Sequence, residues 1–163
     1  MSAASGAGFS LGSGVRNHTH MVEENSGLRC YVAAPFGDAP FVREVHACLR
    51  LLGIEPTSSW AEHADGSPEQ LDDMPIAEVR ALAERNDHAL ATSDVVLVLP
   101  REGAGREMYA EARLAIAIGL PVVWVAGPRP LSAYREGVVR VETLAEAFQD
   151  LYERHTARMV AAA

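Results

Sequence analysis

The sequence predicts an α/β domain with a doubly wound, five-stranded parallel sheet and helices on both faces. Three observations lead there. Short apolar runs alternate with amphipathic helical segments along most of the chain, and right-handed crossovers turn that alternation into a parallel sheet. The runs 94–99 (DVVLVL) and 120–125 (LPVVWV) are almost continuously apolar, as strands covered on both faces are. Between them lie a glycine loop and a helix, so 94–125 reads as one βαβ unit, with Glu111 well inside its helix.

Size and composition set the outer bounds. The chain has 163 residues, a net charge of −8 and 48% hydrophobic content, which suits one domain with a full core. The acidic balance excludes a nucleic acid polymer as partner, because phosphate-backbone binders carry a basic footprint. A small nucleotide stays compatible, since one local anion site needs no basic surface. Cys30 and Cys48 form no metal spacing and no disulfide framework, so two buried thiols in a reducing compartment are expected. No apolar run reaches membrane-spanning length, and the N-terminus lacks a signal-peptide core. A cytoplasmic protein with no membrane partner, no metal and no cofactor is the expectation.

The elements follow in order. Residues 1–27 are rich in Ser, Gly and Asn without periodicity and read as a disordered tail or tag remnant; His18 and His20 belong to it. The single domain spans 28–155. Leu28 to Ala34 is the first strand, and Pro35 to Pro40 a turn-rich loop. Phe41, Val45, Cys48, Leu49 and Leu52 form the inner face of the first helix, which Gly53 ends. Ile54 to Trp60 reads as a short second strand, broken by Pro56 and so near a sheet edge. Ala61 to Met74 is a long acidic loop. Pro75 opens the second helix, with Ile76, Val79, Leu82, Ala83 and Leu90 turned inward. Val95 to Leu99 is strand three, about Arg106 to Ile118 helix three, and Val122 to Val125 strand four. The loop 127–136 has room for one helical turn before a short fifth strand, Gly137 to Val141. Thr143 caps the last helix, whose inner stripe is Leu144, Ala147, Phe148 and Leu151. Residues 156–163 are expected to fray.

Strand order 2-1-3-4-5, as in flavodoxin-like and Rossmann-like folds, places a crevice between strands one and three. There the Pro35 loop meets the Gly103 loop. Tyr31, Phe36, Asn86, Asp87, Glu107 and Glu111 converge on it. Gly103 and Gly105 permit close backbone approach, while Arg106 and free helix amides favour an anion. Trp60 can stack on a base or pack. Structural readings stand beside these: an acid such as Glu107 suits any first helical turn, and Tyr31 suits a core with its hydroxyl satisfied.

Certain motifs carry a resemblance. These are YVAAPF at 31–36, Asn86-Asp87 ahead of SDVVLVL at 93–99, and a Gly-x-Gly followed by Glu111, Ala115, Gly119, Pro121 and Val122. In order and spacing they resemble the nucleoside 2-deoxyribosyltransferase-like superfamily, which includes nucleoside 5′-monophosphate N-glycosidases. The likeness covers Arg29 to about Val141.

The resemblance implies cleavage or transfer at an N-glycosidic bond, in a homo-oligomer of two or more subunits, with a small nucleoside or nucleotide as ligand. Glu111 matches the nucleophile by its distance to Gly119, and Tyr31 the tyrosine that orients it. An acid that assists the leaving base is implied near Asn86 and Asp87; the family pattern has Asp where this chain has Asn86. Glu107 takes the nucleophile's place if the loop is aligned differently. Monophosphate-specific members carry a hydroxyl residue in the loop before the glutamate helix, and here Arg106 and the loop amides stand in for it. The alternative function is a nucleotide-binding module of the same fold without turnover.

Overall fold

The computed structural model describes residues 27–64, 73–102 and 105–163. The tail at 1–26, with His18 and His20, Gly103 in the glycine loop, and most of the acidic loop, 65–72, lie outside the described residues. Five parallel strands form one sheet in the order β2-β1-β3-β4-β5. They are β1 (Arg29–Ala33), β2 (Glu55–Pro56), β3 (Val95–Val98), β4 (Val122–Trp124) and β5 (Val138–Arg140). The helices are α1 (Ala39–Leu51), α2 (Trp60–His63), α3 (Ile76–Ala91), α4 (Arg106–Ala117) and α5 (Leu144–Ala162), with 3-10 turns at Phe36–Asp38 and Leu131–Tyr134. This is the predicted doubly wound α/β fold, strand order included.

The direction of winding reverses at β1. Right-handed crossovers therefore put α1 on one face and α3 and α4 on the other. Central strands β3 and β4, and β1 after its first residue Arg29, are buried; Tyr31, Val32, Leu97, Val123 and Trp124 have no exposed surface. The crevice at the switch point lies beyond Ala33 and Val98, at the carboxyl ends of paired strands.

Several expectations are corrected. The buried stripe of α1 is Val42, Val45, His46 and Leu49, and both Phe41 and Cys48 face outward. His46 takes the inward place because both its ring nitrogens find partners there. Cys30 alone is a buried thiol. Ile76 is exposed at the start of α3, whose inner contacts come from Leu82 and Leu90. Strand two stops at Pro56, and Trp60 opens a helical turn. The edge of β1 left open there is closed by side chains: Ser58 Oγ accepts from Val32 N–H (3.0 Å) and the Trp60 indole donates to Val32 C=O (3.3 Å). Buried backbone groups need such partners.

The C-terminal segment does not fray at 156 but stays helical to Ala162. Two long-range contacts hold it. Leu28 N–H donates to His155 Nδ1 (3.3 Å), and Arg158 pairs with Asp94 (2.6 Å). Its start is fixed by a full capping box between Thr143 and Glu146.

Candidate functional site

Helix α4 sets the site. Gly105 opens it in the left-handed conformation (φ 89°). A side chain there would meet Pro35 Cγ at 3.2 Å and Met108 Cε at 3.3 Å, so the glycine lets the two crevice loops touch. Met108, Ala112 and Ala115 face the sheet, and Tyr109 stacks on Trp124 (centroids 6.0 Å apart). Small residues at 112 and 115 let the helix lie close to β1. Glu111 is thereby placed on the flank of the helix, and Tyr31 O–H donates to its Oε1 at 2.6 Å.

That bond is short and charge-assisted when the carboxyl is ionised. Burial raises the Glu111 pKa to about 7; the Tyr31 hydrogen bond opposes the rise, and the negative charges of Glu107 and Asp87 add to it. Burial, and then the neighbouring carboxylate, push the Tyr31 phenol well above its ordinary range, so it remains a donor. Glu111 thus changes charge near neutrality, where an acid, base or nucleophile is most useful.

Glu111 lines a cavity of about 150 Å³, and Tyr31 backs it from the core. One wall is aromatic: Phe36 and Trp60 stack with centroids 5.8 Å apart and planes 24° from parallel. Val79, Leu82, Ala83 and Asn86 supply the α3 wall, and Glu107 and Glu111 close it from α4. Asn86 Oδ1 is buried without a hydrogen-bond partner. A buried unpaired amide oxygen is costly, and a ligand N–H or O–H entering the cavity would satisfy it.

Tyr31, Phe36, Trp60, Asn86, Glu107 and Glu111 are therefore brought together. Asp87 is not on the wall: it is exposed, one residue further round α3, and acts on Glu111 only through its charge. Arg106 is exposed, lines none of this cavity and makes no ion pair among the described residues. Gly105 serves the contact between loops. Arg113 lies on another side of α4, in a separate hollow with Ser132 and Arg135, and does not tie up Glu111. No cluster of His, Cys, Asp or Glu among the described residues is placed to hold a metal ion.

Val79, Leu82 and Ala83 are wall residues that periodicity assigned to the core. The signal was present: 79, 82, 83 and 86 form one helical stripe, and a polar residue ends it. No protein-family model matches the chain, and no curated protein does either. No helix of the described residues is long and apolar enough to cross a membrane.

Proposed function

We propose that the chain cleaves or transfers at the N-glycosidic bond of a nucleoside or nucleoside 5′-monophosphate, with Glu111 as nucleophile. The observation that carries the reading is the 2.6 Å Tyr31–Glu111 hydrogen bond at an aromatic-walled cavity. A carboxylate beside the anomeric carbon stabilises or bonds to the oxocarbenium-like centre left when the base departs. Glu111 attacks C1′, the C1′–N bond breaks, and its electron pair leaves with the base. Water or a second base then resolves the glycosyl ester. Tyr31 orients the carboxylate. Phe36 and Trp60 offer π-faces for a planar base, and the Asn86 amide meets polar atoms on the ring.

The volume adds a constraint. About 150 Å³ is less than the roughly 300–1,000 Å³ of pockets for drug-sized ligands. In this reading one ring occupies the cavity and the rest of the ligand extends toward the mouth. Glu107, the second carboxyl of the wall, stands where it can contact the leaving group. The proposal includes membership of the deoxyribosyltransferase-like group, which the motif resemblance and the parallel-sheet fold support, and a homo-oligomer goes with it.

One observation favours a second reading, a nucleotide-binding module without turnover. Asp87 stands off the wall, so the α3 side offers an amide where an acid would assist departure. Incubation with a panel of nucleosides and 5′-monophosphates, followed by chromatography for free base, separates the two. Base release abolished by Glu111→Ala supports the enzyme. No release, while a nucleotide still raises the melting temperature, supports the module. Release that survives Glu111→Ala removes Glu111 as nucleophile.

A further inference from the structure

Helix α1 grips the segment that carries Trp60. Arg43 donates to the carbonyls of Ala61 (2.7 Å) and Ala64 (3.0 Å). One turn on, His46 contacts Ser58 Oγ through Nε2 (2.9 Å) and Glu62 Oε1 through Nδ1 (3.4 Å). Arg50 reaches the same Glu62 oxygen (3.5 Å). Acid, imidazole and hydroxyl in line resemble a nucleophilic triad. Ser58 is fully buried, however, and lines none of the cavities described above. Its oxygen is already engaged by the Val32 N–H.

The hydrogens can be assigned from that engagement. Ser58 Oγ accepts from Val32, and His46 Nε2 is the acceptor that the described residues offer its own proton, which is therefore assigned to that bond. The imidazole is then neutral with its proton on Nδ1, donated to Glu62. A hydrogen-bonded chain runs from the Val32 peptide, next to Tyr31, out to an exposed carboxylate. Trp60 donates to the carbonyl of the same Val32, so the same chain fixes the indole that walls the cavity.

We propose that His46 is a positioning residue: neutral, it locks Ser58 and Trp60 against β1, and its protonation loosens the Trp60 wall. A proton on Nε2 turns that atom into a donor facing Ser58 Oγ. The Ser58 hydroxyl proton then loses the acceptor it has among the described residues, while the imidazolium is drawn toward Glu62. The charged groups facing the ring are Glu62 from α2 and Arg50 from α1. Burial lowers the imidazole pKa, which sets the loosening below the ordinary histidine range. The inference concerns the wall alone and stands whether or not the cavity performs glycosyl transfer.

The chain has two tryptophans, so Trp124→Phe leaves Trp60 as sole reporter. Its near-UV circular dichroism and emission are followed from about pH 8 to about pH 4.5. The expected result is a one-proton transition with its midpoint below 6.5, the ordinary histidine value. It disappears in His46→Gln, which cannot titrate, and survives in Glu111→Gln, which removes the wall carboxyl whose raised pKa falls in the same range. If His46→Gln does not fold, imidazole nitrogen shifts in the parent chain decide. An Nδ1–H tautomer at pH 8 and a His46 midpoint equal to that of Trp60 support the assignment. Persistence of the transition in folded His46→Gln, unequal midpoints, or an Nε2–H tautomer overturns it.

Discussion

Removal of the Tyr31 hydroxyl should make Glu111 harder to ionise. In Tyr31→Phe the carboxylate loses its 2.6 Å donor but keeps its burial and its negative neighbours. A hydrogen bond to a charged group is worth about 1.5–3 kcal/mol, and about 1.4 kcal/mol is a tenfold change in a proton equilibrium. The Glu111 midpoint, about 7 in the parent, therefore moves up by about one to two pH units. Glu107→Gln should act the other way, because it deletes a negative charge one turn away. At a spacing of about 6 Å, screened as an exposed charge is, that charge contributes about 0.7–1.4 kcal/mol. The midpoint falls by roughly half a pH unit to one. Carbon-13 NMR of glutamate carboxyls reads both shifts directly, with the Glu111 signal assigned by its loss in Glu111→Gln. Where base release is found, its rate should rise with pH through the same midpoint, since the nucleophile is the carboxylate, and the rising limb should follow each variant. A Tyr31→Phe midpoint at or below the parent value would refute this account of the pair. So would a rise in Glu107→Gln.

Three further outcomes are expected. A carboxyl with a raised folded pKa binds its proton more tightly folded than unfolded, so its stabilising share is lost as pH climbs from about 4.5 to about 7. Glu111→Gln should therefore be more stable than the parent at pH 8, by about 1–2 kcal/mol after allowance for partial exposure, and lose that advantage near pH 4; melting curves at both pH values test this. Gly105→Ala should cost about 2 kcal/mol or more in denaturant unfolding, from left-handed strain plus crowding against Pro35. Gly119→Ala, with φ 81° and nothing within 4 Å, should cost only about 1 kcal/mol; equal costs would show that the loop contact is not tight. In native protein a disulfide-exchange reagent should titrate Cys48 quickly and leave Cys30 untouched, because burial pushes the Cys30 thiol up to about 12; denaturant should expose both.

The fold was legible because its information is local. Continuous apolar runs mark buried strands, Pro75, Gly53 and Thr143 punctuate the helices, and alternation of the two types leaves few topologies. Tyr31, Asn86 and Glu111 were legible as candidates because the predicted strand order brings their elements together at the crevice. What periodicity misread has a common cause: it assigns a face without knowing which partners stand there. His46 is inside and Cys48 outside because Ser58 and Glu62 wait on the inner side of α1. Trp60 left the strand because the ladder ends with Thr57 N–H on Cys30 C=O and side chains take over the edge of β1. The last turns of α5 hold because His155 and Arg158 find Leu28 and Asp94 across the chain.

By itself, then, the sequence determined the order of strands and helices, the position of the crevice and the presence of a carboxylate beside it. Only the tertiary structure decided which polar groups meet. Whether Asn86 or Asp87 faces the cavity is a rotation of about 100° on one helix, and the packing of Leu82 and Leu90 sets that rotation. Whether Glu111 is an ordinary surface acid or a group that titrates near neutrality depends on burial and on the Tyr31 hydroxyl, 80 residues away in the chain.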